Sequence, residues 1–233
     1  MAYRNRNSGF VMAAATALRT PSPQASLRWV RPPQQERTRA SLTRLLDAAE
    51  TLLGEKSFDE VSIAEVTREA RTSIGGFYRR FADKDGLLHA LHERFCEDAL
   101  ATTDDALDAE KWAGASLEEI LAQVTAFLVD IHREKRGLLR AFLLRGLSDA
   151  VVRERTEDVF RYIGDALRVL LREHRDEISH PDPDTAAAFG LRVVLATLEH
   201  WVQLEPTTPE FTPPALTHEL TRVFVTYLGV RTA

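Results

Sequence analysis

Apolar side chains recur every three or four residues through most of the chain, which is the spacing of one buried face of an α-helix. Leu42, Leu46, Ala49 and Leu53 follow this spacing, and Gly54 after them is the kind of residue that ends a helix. None of these segments alternates apolar and polar residues in the manner of a β-strand. The spacing therefore predicts an all-α fold.

The second half of the chain repeats this pattern over longer segments. We predict helices there near Ser116–Lys135, Gly137–Leu147, Ala150–His174, Asp184–Leu204 and Pro213–Val230. Residues 186–202 are apolar on nearly every side, which indicates a helix that is buried all round. The last two helices carry more apolar surface than one protomer readily covers, so we expect a homodimer through them, with a self-contained bundle as the alternative.

The charge of the chain is unevenly distributed. The formal net charge is −5, but residues 1–44 carry eight arginines and one acidic residue. A basic N-terminal segment on an otherwise acidic chain is typical of a protein that binds a polyanion such as DNA through one end only. The alternative is a charged, disordered tail on an ordinary acidic domain.

The composition and motifs exclude several classes of protein. Cys96 is the only cysteine, which excludes an internal disulfide framework, and no apolar run approaches the ~20 residues of a membrane span. The sequence has no GxSxG elbow, HExxH pair or phosphate loop, so we predict no enzymatic activity and no cofactor. His89, His92 and Cys96 share one helical face but span about two turns, too far for one ion, so we predict no metal site.

The most informative local pattern is a pair of short helices between residues 62 and 84. Ser62 and Glu65 have the spacing of a capping box, which begins the first helix. Thr72 or Ser73 can cap the second helix. Two short helices joined by a tight turn are the build of a helix-turn-helix, a module that lays one helix in the major groove of DNA.

The second of these helices has an inner and an outer face. Phe77 and Phe81 lie four residues apart and predict the inner face, and the same spacing makes Ile74 a core residue by default. Glycine lets the backbone approach a groove closely, and arginine reaches guanine edges or phosphates. We therefore expect the opposite arc to face DNA; its members are Ser73, Gly75, Gly76, Arg79 and Arg80.

Residues 38–95 resemble the DNA-binding domain of TetR-family transcriptional regulators. The resemblance rests on the runs SIAEV at 62–66, GFYRRF at 76–81 and KDGLL at 84–88, with Ala70 between the first two. It implies a double-stranded DNA operator as partner and an all-helical body that ends in two dimerisation helices. It also implies a small-molecule effector bound in the body and repression as the mode of action.

The resemblance also assigns roles to single residues. Tyr78 and Lys84 match positions that hold the phosphate backbone, and Ile74 matches a position that often faces DNA, where it can touch a thymine methyl group. Arg71 replaces a turn glycine of the family, so we expect it to adopt a less comfortable backbone conformation, or the turn to adjust, or Arg71 to add a phosphate contact. Gly76 stands where the family often has threonine, which removes one phosphate-binding hydroxyl.

Residues 1–36 are predicted to form a basic, disordered arm. Prolines at positions 21, 23, 32 and 33 stand among serine, glutamine and arginine, a composition typical of a flexible segment. The apolar stretch Gly9–Leu18 follows two arginines in the manner of a secretory signal. We favour a cytoplasmic location, because a DNA-reading module has no use outside the cell.

We therefore predict an N-terminal three-helix helix-turn-helix DNA-binding domain at residues 37–97 and a helical ligand-binding and dimerisation bundle at residues 98–233. A second hypothesis is a helical protein-interaction module of the same fold that has lost DNA binding. The candidate DNA-binding residues are Arg71, Thr72, Ser73, Ile74, Gly75, Gly76, Tyr78, Arg79, Arg80 and Lys84.

Overall fold

The computed structural model describes residues 36–204 and 211–231, with the backbone alone for residues 36–39. Within these ranges the chain forms α-helices and no β-strand, which confirms the all-α prediction. The predicted arm, apart from Glu36, lies outside the described residues. The helices are α1 (Glu36–Leu53), α2 (Ile63–Glu69), α3 (Ile74–Tyr78), α4 (Lys84–Ala106), α5 (Leu117–Glu134), α6 (Arg136–Gly146), α7 (Ala150–Glu173), α8 (Pro183–Gln203) and α9 (Pro213–Leu228).

Helices α5 to α9 begin and end within two residues of their predicted bounds. Local capping accounts for the bounds of the last two helices. Asp182 and Thr212 accept hydrogen bonds from the first turns of α8 and α9, and Gly229 ends α9 in the left-handed conformation. Two short 3₁₀ turns, Ala109–Trp112 and Arg175–Glu177, are additional to the predicted helices.

The described residues divide into two compact units, and the boundary falls inside α4 and inside α7. The first unit differs from the predicted domain at 37–97, because α6 and the start of α7 pack with the N-terminal helices. No helix of the described ranges is both long and apolar enough to cross a bilayer. The first unit contains residues 36–98 and Lys135–Thr156, and the second contains Ala99–Glu134, 157–204 and 211–231.

The core of the first unit takes one apolar face from each of the helices α1, α2, α3, α4 and α6. Leu46 of α1, Val66 of α2, Phe77 of α3 and Leu91 of α4 are at most 1% exposed. Phe142 of α6 belongs to the same cluster. Full burial of one such side chain contributes about 1.5–3 kcal/mol, so α6 is a structural part of the unit that carries the helix-turn-helix.

Helix α8 lies in the core of the second unit, where it packs against α5 and α9. Leu191, Leu195 and Leu198 are buried on this side of the helix. Phe189 is 54% exposed, and Ala196 is also exposed. The expectation that α8 is buried all round is therefore wrong for the single chain, because its described neighbours cover only one face.

Candidate nucleic-acid interface

Helix α2 begins at the predicted capping box. The Ser62 hydroxyl accepts a hydrogen bond from the Glu65 amide at 3.3 Å, and the Glu65 carboxylate accepts one from the Ser62 amide at 2.9 Å. Lys56 also donates to this carboxylate, at 2.5 Å. Hydrogen bonds from Lys56 and then from Ser62 lower the pKa of Glu65 to about 2. The start of α2 is thus held by its own side chains.

The turn between α2 and α3 passes through Arg71 in the left-handed region, with a φ of 51°. The Arg71 N–H donates to the Arg68 carbonyl at 3.1 Å, and the Thr72 N–H donates to the Thr67 carbonyl at 2.9 Å. This pair of hydrogen bonds is a Schellman ending, in which the residue at the position of Arg71 is usually glycine. The expected uncomfortable backbone at Arg71 is therefore confirmed.

Helix α3 is short and is capped by Ser73, the second of the two predicted candidates. The Ser73 hydroxyl accepts a hydrogen bond from the Gly76 amide at 3.0 Å. Phe77 and Phe81 are fully buried, with ring centroids 5.1 Å apart, as their spacing predicts. The cap and the two rings fix the position of α3 on the first unit, so its remaining side chains face outward.

Most of the candidate DNA-binding residues share the exposed surface of α3 and of the turn before it. Thr72 and Arg80 are half-buried at its edge. Gly76 is buried, and a methyl group on it would lie 2.6 Å from the Thr72 hydroxyl. The expectation that Gly76 lies on the open arc is therefore wrong, because Thr72 covers it. The exposed members are Arg71, Ser73, Ile74, Gly75, Tyr78 and Arg79.

Ile74 is 53% exposed, so the expectation that it belongs to the core is wrong. Helix α3 begins at Ile74, so no earlier turn of this helix can cover its side chain. The core beneath is already filled by Val66, Ala70 and Phe77. The exposure leaves Ile74 available at the position where the family resemblance implies a contact with DNA.

Lys84 has a contact that the sequence did not predict. Its ammonium group donates to the carbonyls of Phe58 at 2.8 Å, Val61 at 3.0 Å and Asp59 at 3.2 Å, and it lies 4.6 Å from the centre of the Phe58 ring. An ammonium group has three N–H donors, and these carbonyls use all of them. Its phosphate contact stays a prediction, and in the free chain Lys84 ties the loop before α2 to the start of α4.

Four arginines of the helix-turn-helix have no side-chain hydrogen bond or ion pair with other described residues; they are Arg68, Arg71, Arg79 and Arg80. By contrast, Arg94 in the same unit is held by two carboxylates at 2.7 Å. Burial, and then the nearby charge of Arg79, lower the pKa of Arg80. Uncompensated guanidinium groups beside one short helix suit a polyanion such as DNA.

The polar residues of α4 that share one helical face make packing contacts inside the first unit. His89 Nε2 lies 3.1 Å from Asp149 Oδ2, and His92 Nε2 lies 3.0 Å from Thr156 Oγ1. Burial lowers the pKa of His92 to about 3 and raises the pKa of Cys96 to about 12. In the part of the chain that the structure describes, no three metal-ligating side chains come together. These residues fasten α4 to the segment 149–156.

Known proteins share this architecture. A family model for bacterial regulatory proteins of the tetR family matches residues 45–91, and a model for the tetracyclin repressor-like C-terminal domain matches residues 116–228. A solved structure of a transcriptional regulator from Cytophaga hutchinsonii ATCC 33406 superposes with a TM-score of 0.63 over 83% of this chain and 100% of that chain. The two are 15% identical, so this likeness concerns the fold.

Two curated relatives match part of the sequence. The transposon Tn10 TetC protein of Escherichia coli is 31% identical over 102 residues, which are 43% of this chain and 50% of that protein. The HTH-type transcriptional regulator YvdT of Bacillus subtilis (strain 168) is 27% identical over 101 residues, which are 42% of this chain and 50% of that protein. The chain therefore spans about half the length of the curated relatives it matches.

The two family models together cover more than half of the chain, and the first of them spans the helix-turn-helix described above. Its residues include the capping box, the Schellman turn and the exposed Arg71 and Arg79 on either side of α3. The chain belongs to the TetR family of bacterial transcriptional regulators and carries that family's helix-turn-helix DNA-binding domain.

Proposed function

We propose that this protein is a sequence-specific, ligand-responsive repressor that acts in the cytoplasm as a homodimer on a double-stranded DNA operator. The observation that carries the proposal is the exposed surface of α3, where Arg79 lies without a charged partner among the described residues. In this proposal α3 enters the major groove, Arg79 and Arg80 reach base edges or phosphates, and Tyr78 contacts a phosphate. Ile74 contacts a thymine methyl group.

The proposed homodimer rests on the uncovered face of α8 and α9. Phe189 is 54%, Val223 47% and Tyr227 38% exposed, and the rings of Phe189 and Tyr227 lie 5.3 Å apart. Three large apolar side chains side by side on two packed helices are the kind of surface that a second copy of the chain covers. A two-fold dimer then reads two half-sites of an operator.

The proposed response to a ligand rests on buried polar groups in the second unit. Gln123 Oε1 on α5 and Thr221 Oγ1 on α9 are buried and make no hydrogen bond to another described residue. Buried polar atoms without partners are uncommon in proteins, and a bound small molecule would satisfy them. A ligand that binds one conformation of the protein more tightly than the other would then change its affinity for DNA.

The proposal is tested by selecting DNA with the full chain from a library of random duplexes and by measuring the affinity at several salt concentrations. We expect enrichment of a site with two half-sites, and an affinity that falls steeply with salt because phosphate contacts release counterions. Arg79→Ala and Arg80→Ala each lose about 1–3 kcal/mol of binding if they read a base. Failure to enrich any sequence, with a flat salt dependence, would favour the protein-interaction module.

A further inference from the structure

Arg79 directly follows α3, and its guanidinium group lies against the first turn of that helix. A methyl group on Gly75 would lie 3.8 Å from Nη1 of Arg79, and one on Gly76 would lie 3.6 Å from its Nη2. Arg79 follows these glycines by four and three residues, which is the spacing at which side chains of a helix meet, and helical side chains lean towards the N-terminus. The guanidinium therefore rests against the exposed backbone of Gly75 and beside Gly76, which Thr72 also covers.

The neighbours of this surface leave the guanidinium available for binding. The Ser73 hydroxyl is near the same two positions, 3.9 Å from a methyl group on Gly75 and 3.4 Å from one on Gly76. Ser73 already accepts the Gly76 amide, and no described residue is a hydrogen-bond or ion-pair partner of the Arg79 side chain. Its N–H donors are thus held beside α3 and are not used within the described part of the chain.

We propose that Gly75 and Gly76 are positioning residues that seat Arg79, and that the seated Arg79 reads one guanine of each half-site. The proposal rests on the proposed function, since it assumes that α3 lies in the major groove. A guanidinium held in one orientation donates two N–H groups to O6 and N7 of guanine, which is the commonest base-specific contact of arginine. Preorganisation lowers the side-chain entropy lost on binding. A side chain longer than a methyl group on Gly75 would take the place of the guanidinium.

A competing explanation is that Gly75 matters only because its bare backbone approaches the DNA. The two explanations differ in their dependence on side-chain size and on Arg79. If the backbone approach matters, Gly75→Ala already removes most of the affinity, and it does so whether or not Arg79 is present. If the positioning of Arg79 matters, the loss of DNA affinity grows from Gly75→Ala to Gly75→Leu. A methyl group at 3.8 Å is still in ordinary contact with the guanidinium, whereas a longer side chain displaces it.

The test uses the full chain and a duplex site that the wild-type protein enriches from a random library. Affinities are measured for that site and for duplexes with each G·C pair replaced in turn, with Gly75→Ala, Gly75→Leu, Arg79→Ala and the double variant Gly75→Leu/Arg79→Ala. We expect Gly75→Leu to lose about tenfold or more, to lose its discrimination at one G·C pair of each half-site, and to have no further effect in the Arg79→Ala protein. Gly146→Ala, on α6 and outside the interface, is the matched control.

Additive effects of Gly75→Leu and Arg79→Ala would overturn the proposal that the glycines position Arg79. A loss of affinity spread evenly over all base pairs would also overturn it. Thermal unfolding of each variant separates these results from misfolding. If Gly75→Leu fails to fold, Gly75→Met in the same cycle replaces it. If the wild-type protein enriches no sequence, the proposed function itself fails. If it enriches a site but the affinity losses of the two single variants add up in the double variant, only the positioning of Arg79 by the glycines fails.

Discussion

Arg71 combines an unfavourable backbone conformation with an exposed positive charge. Its φ of 51° lies in the left-handed region, which costs a residue with a Cβ atom about 1–2 kcal/mol and costs glycine very little. Its side chain is exposed and has no partner among the described residues. The chain therefore accepts a strained turn at a position where a positive charge can meet a phosphate.

Replacing Arg71 by glycine should relieve the backbone strain and remove the positive charge, so stability and DNA affinity should change in opposite directions. We expect Arg71→Gly to raise the free energy of unfolding by about 1 kcal/mol, measured by urea denaturation, and to lower the affinity for DNA at low salt. Arg71→Asn is the control, since asparagine tolerates the left-handed region and also removes the charge. Loss of stability in Arg71→Gly would contradict the assigned turn.

Lys84 is a second single residue whose contribution to stability can be tested, because it makes three hydrogen bonds within the first unit. Lys84→Met keeps the aliphatic stem and removes the donors, so we expect the free energy of unfolding to fall by about 1–3 kcal/mol. Urea denaturation measures this change. An unchanged stability together with a weaker affinity for all DNA sequences would favour the phosphate role alone.

At the scale of helices, α6 is bound to α1 at a point of very close approach. A methyl group on Gly137, near the start of α6, would lie 1.7 Å from the Leu53 carbonyl oxygen at the end of α1. Lys135 pairs with Glu50 beside this point. The position of α6 therefore depends on a glycine at residue 137.

Gly137→Ala should force α6 away from α1. We expect the free energy of unfolding to fall by about 1–3 kcal/mol or more, because the obstructing atom belongs to the backbone and cannot rotate aside. Gly146→Ala is the matched control on the same helix, since its methyl group would lie 4.0 Å from Val152 Cγ1. Equal thermal stability of the two variants would contradict the close approach of α6 and α1.

At the scale of the whole molecule, the uncovered face of α8 and α9 predicts self-association. Phe189→Lys combined with Tyr227→Lys should convert the proposed dimer to a monomer without unfolding the chain, because both side chains are partly exposed. Analytical ultracentrifugation measures the change, and operator affinity should fall with it. Leu147→Lys, at an 82% exposed position in the first unit, is the control. A double variant that remains dimeric would sink the assigned interface.

Buried histidines predict how stability depends on pH. Burial lowers the pKa of His92 to about 3 and that of His132 to about 4, from an ordinary 6.5. As the pH falls below 6.5, the unfolded chain takes up protons at these residues and the folded chain does not, so stability is lost. We expect a loss of up to about 1.4 kcal/mol per histidine per pH unit, measured by urea denaturation between pH 7 and 5.

Glutamine variants of these two histidines provide the comparison. His92→Gln and His132→Gln should each flatten the pH dependence, and His218→Gln, at an exposed position, is the control. An identical pH dependence in all four proteins would show that the buried histidines are not its source.

Short-range patterns determined much of this fold. The capping box at Ser62 and Glu65, the inner pair Phe77 and Phe81, and the helices α5 to α9 were all predicted, because caps and helical periodicity act within a few residues. The strain at Arg71 was predicted for the same reason, since the turn is closed by hydrogen bonds between near neighbours.

Only the tertiary structure decided which surfaces are covered. Ile74 has a core-like spacing but is exposed, Gly76 lies beneath Thr72, and Lys84 reaches carbonyls that are more than twenty residues away in the chain. α6 joins the unit that carries the helix-turn-helix, although its sequence does not distinguish it from the helices around it. Periodicity tells which side of a helix is apolar, but burial depends on distant segments that the local pattern does not contain.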